Sequence, residues 1–269
     1  MKRFVLPTLL LLSCIPMVAS AQDFGGQQQQ TTASTATTAQ PAMTPLQMDE
    51  LRADILVARK LYPEAVSSYE KLVKEEPKNA VLLNKIGVAC VAWGQKGCAE
   101  KYFKKSIKAD KNYANPFNNL ATVEYDKKHY KKAIELYDKS LELHMDRPAT
   151  VYMNRGYAFF AEKQYPEAMG SFQQAIALDP TVFQEAGGFG SIVEDRQTAD
   201  PGAFYFFLAR TYAELGNVDR TAHYLKMARD DGYKKLESAK TDPAFAKVIK
   251  APEVLQVFQP GPGMQQKQP

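Results

Sequence analysis

A small residue, an alanine twelve residues later and an aromatic four after that recur along this chain with a period of 34. Ala53, Gly87 and Ala121 stand 34 apart, Gly156 follows at 35, and Ala209 continues the series after an insertion of 19. Ala65, Ala99, Ala133 and Ala168 keep the same intervals, with Thr221 in the fifth copy, and so do Tyr69, Phe103, Tyr137, Phe172 and Leu225. A fixed period of this length constrains the fold more than any motif does, because each unit must be one supersecondary element that cannot bury its apolar face alone. Within each copy, apolar residues spaced three and four apart form two stripes separated by a short break near Lys60, Gly94, Lys128, Lys163 or Gly216. Two stripes with one break read as a helical hairpin. The small residue of the first helix is expected to let the alanine of the second approach closely, with the aromatic filling space toward the next hairpin.

The fourth copy carries the fullest pattern, with Tyr152, Gly156, Phe159, Tyr165, Ala168, Phe172, Ala175 and Pro180. Over residues 47–233 the chain resembles the tetratricopeptide repeat family. Three positions depart from that family's pattern: Glu124 replaces an aromatic or apolar residue, Lys96 replaces the tyrosine of Tyr62, Tyr130 and Tyr165, and Thr221 replaces alanine. The resemblance implies an all-α fold, a right-handed α-solenoid of about five helical hairpins with a C-terminal helical cap. An irregular insertion at about 181–200 interrupts the stack. Its Gly187-Gly188-Phe189-Gly190 run lacks the strand-to-helix setting of a phosphate-binding loop. Residues 234–258 are expected to cap the last hairpin. Asp242-Pro243 and Ala251-Pro252 start two short helices, and Phe245, Val248, Ile249, Val254, Leu255 and Phe258 cover the exposed end.

In proteins of this family the first helices of successive hairpins line a groove. Carried onto this chain, the groove positions are Asn84, Lys85, Asn118, Asn119, Thr122, Tyr125, Asn154, Tyr157, Phe160 and Arg210. Asparagine donates to a carbonyl and accepts from an N–H at once, and Tyr125, Tyr157 and Phe160 offer surfaces for side chains, a combination suited to an extended peptide. The family's basic clamp for a terminal carboxylate is approached only by Lys85 with the asparagines.

Catalytic material is sparse. The three histidines, His129, His144 and His223, have no second histidine or cysteine at ligand spacing, and hydrolase-type serine motifs are missing. No catalytic residue, metal site or cofactor is assigned, and the chain reads as non-enzymatic. Cys90 and Cys98 lie four residues either side of Gly94, opposite each other across the predicted turn. They read either as a disulfide across the hairpin or as a small buried residue and a half-exposed one, since helix axes about 8–10 Å apart strain a bond that needs Cα atoms within about 7 Å.

The first residues carry the marks of a secretory signal. Lys2 and Arg3 precede an apolar run from Phe4 to Ile15, and Ala19, Ser20 and Ala21 precede Gln22, so residues 1–21 are expected to be removed. A second reading takes Leu11-Leu12-Ser13-Cys14 as a lipoprotein signal with Cys14 as the lipidated N-terminus. With either signal in front of the repeats, the chain is similar to exported bacterial tetratricopeptide proteins, periplasmic or secreted in the first case and membrane-anchored in the second. Residues 22–46 are rich in Gln, Thr and Ala, and 259–269 in Gln, Pro and Gly, and both are expected to be disordered.

The formal charge is +4, about +2 without Lys2 and Arg3, too balanced for a nucleic-acid partner. Lysines still gather locally, at Lys101, Lys104, Lys105 and Lys108 and at Lys127, Lys128, Lys131 and Lys132. Membrane association is open to this chain only through a lipidated Cys14 or through that basic face. The composite expectation is a scaffold or adaptor of the cell envelope that binds a protein or peptide in its groove; the alternative is a structural component of a membrane assembly.

Overall fold

The computed structural model describes residues 43–183 and 200–259, and the chain separates into two units, Met1–Ala42 and Met43–Pro269. The expected secretory signal, most of the expected 22–46 linker, the glycine run of the insertion and all but Gln259 of the expected tail lie outside the described residues.

Ten helices pair into five hairpins: α1 (Pro45–Ala58) with α2 (Tyr62–Glu75), α3 (Ala80–Ala92) with α4 (Lys96–Ala109), α5 (Asn115–Asp126) with α6 (Tyr130–Glu142), α7 (Pro148–Ala161) with α8 (Tyr165–Leu178), and α9 (Pro201–Glu214) with α10 (Val218–Asp230). Each helix packs on its neighbours in the chain, and the first helices α3, α5 and α7 also touch one another in succession. The described residues are thus all-helical, in the consecutive-hairpin arrangement of an α-solenoid. Helix α1 begins slightly ahead of the expected boundary at residue 47, because Thr44 and Gln47 close a reciprocal capping box and Pro45 sits where a missing N–H is harmless.

One turn design closes all five hairpins. Lys60, Gly94, Lys128, Lys163 and Gly216 have φ of 61°, 76°, 63°, 61° and 75°, and each is followed by an N–H bonded to a carbonyl five residues back, as in Gln95 to Cys90 at 2.8 Å and His129 to Glu124 at 2.9 Å. These are the five breaks read from the sequence. The left-handed residue satisfies the orphan carbonyls of the first helix and reverses the chain.

Packing inside the hairpins differs from the expectation in one respect. The aromatic of the second helix lies over the small residue of its own hairpin: a Cβ at Gly87 would stand 2.3 Å from the Phe103 ring, and one at Gly156 would stand 2.3 Å from Phe172. Where the small residue is Ala53 or Ala121, the aromatic is a tyrosine, and its hydroxyl bonds to the residue after the alanine: Tyr69 to Asp54, and Tyr137 with Thr122 at 3.2 Å. Ser106 and Ser140 add a second repeated tie, donating to the carbonyls of Ala80 and Ala114 at 2.7 and 3.1 Å.

Beyond α10, two 3-10 helices (Leu236–Lys240 and Pro243–Phe245) and α11 (Pro252–Val257) follow. Phe245, Val248, Val254 and Val257 are buried, and Phe206 of α9 meets Tyr233 and Phe245. Asp242-Pro243 opens a three-residue 3-10 turn, and Leu255, read as part of the cover, is 44% exposed because it falls on the outer side of the short α11.

Candidate functional site

The first helices carry two unlike stretches of side chains. The first spans α1, α3 and α5 and is polar. Lys85 of α3 reaches Glu50 at 2.7 Å and Asp54 at 2.8 Å, both on α1, and the Tyr69 hydroxyl also donates to Asp54. Burial works against the Lys85 ammonium, but the two carboxylates outweigh it and raise its pKa. Burial and Asp54 together push the Tyr69 phenol well above its ordinary value. Beside this group runs a chain of amides. Asn118 Nδ2 donates to Asn119 Oδ1 at 3.2 Å, and Asn119 Nδ2 donates to Asn84 Oδ1 at 3.0 Å. Asn84 and Asn115 both donate to the Tyr113 hydroxyl, at 3.5 and 3.3 Å. Thr122 continues the line, donating to the Asn118 carbonyl at 3.2 Å.

The second stretch lies across α7 and α9 and is aromatic. Tyr157 stacks on Phe204 with centroids 5.1 Å apart, and Phe160 packs edge-on against the same ring at 5.2 Å. Phe183, within the described start of the insertion, closes on Phe172 at 5.3 Å. The chain has filled this part of the face with its own rings, each such pair contributing about 0.5–1.5 kcal/mol beyond its area.

The structure therefore sorts the groove residues read from the sequence. Lys85, Asn119, Thr122 and Tyr125 are half-exposed, with Asn84 and Asn118 buried beneath them as parts of the amide chain. Asn154 is 0% exposed and Tyr157 is 4% exposed, so neither stands on the surface as a contact. Phe160 is engaged with Phe204 and Phe207, and Arg210 is bound to Asp242 at 3.0 Å, tying α9 to the cap. Lys85 is neutralised by Glu50 and Asp54 and is no free clamp for a carboxylate. The residues missed were Glu50, Asp54, Asn115 and Tyr113. Extending the register to the first hairpin, three before and one after Ala53, lands on Glu50 and Asp54.

Cys90 and Cys98 are bonded to each other, with Cα atoms 5.7 Å apart across the α3/α4 turn. His129 does not stand alone either: its Nδ1 lies 2.8 Å from Glu124, a fully buried carboxylate also held by Lys132 at 2.7 Å. Among the described residues no three His, Cys, Asp or Glu side chains gather as a metal site, and no helix is long and apolar enough to cross a membrane.

Comparison with known proteins agrees with this architecture. Models of the tetratricopeptide repeat match residues 80–113 and 149–182, the second and fourth hairpins. A protein of Porphyra purpurea, the uncharacterized protein ycf37, is 31% identical over 98 residues, 33% of this chain; the matched part spans 57% of that relative. Among solved structures, the type IV pilus biogenesis factor PilW superposes with a TM-score of 0.52 at 16% identity, over 80% of this chain and 91% of its own. MamA residues 41 to the end from Desulfovibrio magneticus RS-1 superpose with a TM-score of 0.50 at 17% identity, over 75% of this chain and 100% of their own. At such identities the likeness is one of fold, and these are solenoids of the same repeat. The chain carries tetratricopeptide repeats, stacked as consecutive helical hairpins.

Proposed function

We propose that this protein is a non-enzymatic interaction scaffold of the cell envelope that holds an extended segment of a partner protein across its first three hairpins. The observation that carries the reading is the face built by Glu50, Asp54, Lys85, Asn115 and Asn119, where amide and carboxylate groups from three helices meet at half-exposed positions over the buried Asn84. Glu50 and Asp54 outnumber Lys85, so the face favours a segment with a basic residue near the first hairpin, flanked by backbone that the amides can bond. The α7–α9 stretch does not take part, being filled by Phe204. Tetratricopeptide repeats serve widely as protein-binding scaffolds, which supports the class of partner.

An envelope location is supported by the signal-like residues 1–21 and by the Cys90–Cys98 disulfide, a bond that persists in oxidising compartments. A photo-crosslinking residue placed at Thr122 is expected to capture a partner from envelope extracts that the same residue at Gln174, on the outer side of α8, does not. Glu50→Lys should lower the yield about tenfold, as expected for a close charge reversal. Equal capture from Thr122 and Gln174 would refute the assignment of this face.

A further inference from the structure

The turns of the second and third hairpins lie side by side and expose a tryptophan and two lysines, Lys128 and Lys131, beyond the ion pairs that join them. Trp93 closes α3 and is 43% exposed. A Cβ built at either Gly94 or Gly97 would meet nothing within 4 Å, so the indole stands at an open tip. The neighbouring turn lies directly beside it: Lys96 is 3.7 Å from Asp126, and Lys127 is paired with Glu100 of α4. Lys128 and Lys131, in that neighbouring turn and the helix that follows it, are exposed. The carboxylates within reach are already occupied. Glu100 is held by Lys104 and Lys127, which draw its pKa to about 2, and Glu124 is buried under Lys132 and His129. In the first hairpin Arg59, Lys60 and a 37% exposed Leu61 repeat the mixture of cation and apolar tip. In the fourth, Glu162 stands where Arg59 does in the first, and Glu64 and Glu167 occupy the same place in both turns.

We propose that this edge docks on an anionic phospholipid bilayer, with Trp93 seated among the headgroups and Lys128 and Lys131 over the negative surface. An indole with an apolar body and a polar N–H partitions to that depth. Lysine ammonium groups suit a diffuse field of headgroups better than the forked recognition of a single phosphate or carboxylate, which selects arginine. This edge is separate from the polar face of α1, α3 and α5, so the protein could hold a partner while resting on a membrane.

Trp93 is the only tryptophan in the sequence, so its emission reports on this edge alone. Residues 43–269 form a unit of their own, and the chain from Gln22 removes the apolar residues 4–15 from the measurement. Mixed with vesicles of phosphatidylglycerol and phosphatidylcholine at low salt, that chain should show a blue-shifted Trp93 emission, quenched by brominated lipid. The effect should be lost at high salt and with phosphatidylcholine alone. Lys128→Gly with Lys131→Ala should weaken partitioning about thirtyfold, at roughly fivefold per lysine, while the melting temperature stays level or rises because Lys128→Gly relieves the positive φ. No vesicle binding at low salt overturns the proposal. So does binding with an unmoved Trp93 emission, undiminished binding of the double variant, or a Trp93 shift produced by polyglutamate but not by vesicles.

Discussion

Gly87 and Phe103 are in contact so close that no side chain fits between them: a Cβ at Gly87 would lie 2.3 Å from Cε1 of the ring, and Gly156 stands in the same relation to Phe172. The second and fourth hairpins each join their two helices through a glycine and a phenylalanine. The first and third do so through an alanine and a tyrosine whose hydroxyl is bonded outward. Gly87→Ala is therefore expected to destabilise the protein by about 1–3 kcal/mol through overpacking. Gly170→Ala, on an open face of α8 where an added Cβ meets nothing within 4 Å, should stabilise it by about 0.5–1 kcal/mol. Urea denaturation of the two variants reads this contrast, and similar midpoints for both would refute it.

Glu124 is a buried carboxylate where the repeat ordinarily has an apolar residue. Burial raises its pKa, but Lys132 and His129 overcome that and leave it below the ordinary carboxylate value of 4.5. A depressed folded-state pKa means that the stabilisation is in place above about 4.5 and disappears as pH falls below it through the folded value. Lys132→Ala should cost about 1 kcal/mol at pH 7, since that lysine is exposed and screened. Glu124→Leu should be neutral or stabilising by about 1 kcal/mol and should flatten the acid limb of the stability profile. An unchanged acid limb in Glu124→Leu would show that other carboxylates govern it.

The Cys90–Cys98 bond spans a sequence separation of 8. Closing so short a loop is worth about 2–3 kcal/mol in the chain-entropy account. Intact mass should rise by two hydrogens on reduction, and the reduced protein should melt at a lower temperature. A mass unmoved by reductant would mean that the bond does not form in the isolated protein.

Phe204 holds Tyr157 and Phe160 on one ring. Phe204→Ala should destabilise by about 3–5 kcal/mol, as for other buried phenylalanines, and should speed proteolysis in the fourth and fifth hairpins. Partner capture through Thr122 should survive under conditions where the variant stays folded. Loss of that capture in a folded variant would place the aromatic stretch in the binding face after all.

Much of the architecture was legible in the residue order alone. The period of 34 sets the hairpins, and the five turn positions from Lys60 to Gly216 fall where the apolar stripes break, because a helix must end where its periodicity ends. The facing positions of Cys90 and Cys98 about Gly94 could be read too, though whether they bond could not. That depends on the distance between two helix axes, which the packing of Gly87 under Phe103 helps to set. The groove assignment was legible only as a register. Lys85, Asn119 and Asn154 occupy equivalent positions in the sequence, two before the small residue, and Tyr157 lies on the same expected groove, yet tertiary structure buries Asn154, covers Tyr157 with Phe204, and neutralises Lys85 with Glu50 and Asp54. Local periodicity says which side of a helix a residue lies on. Only packing of the neighbouring hairpins decides which of those residues still meets solvent, because that outcome belongs to side chains more than thirty residues away.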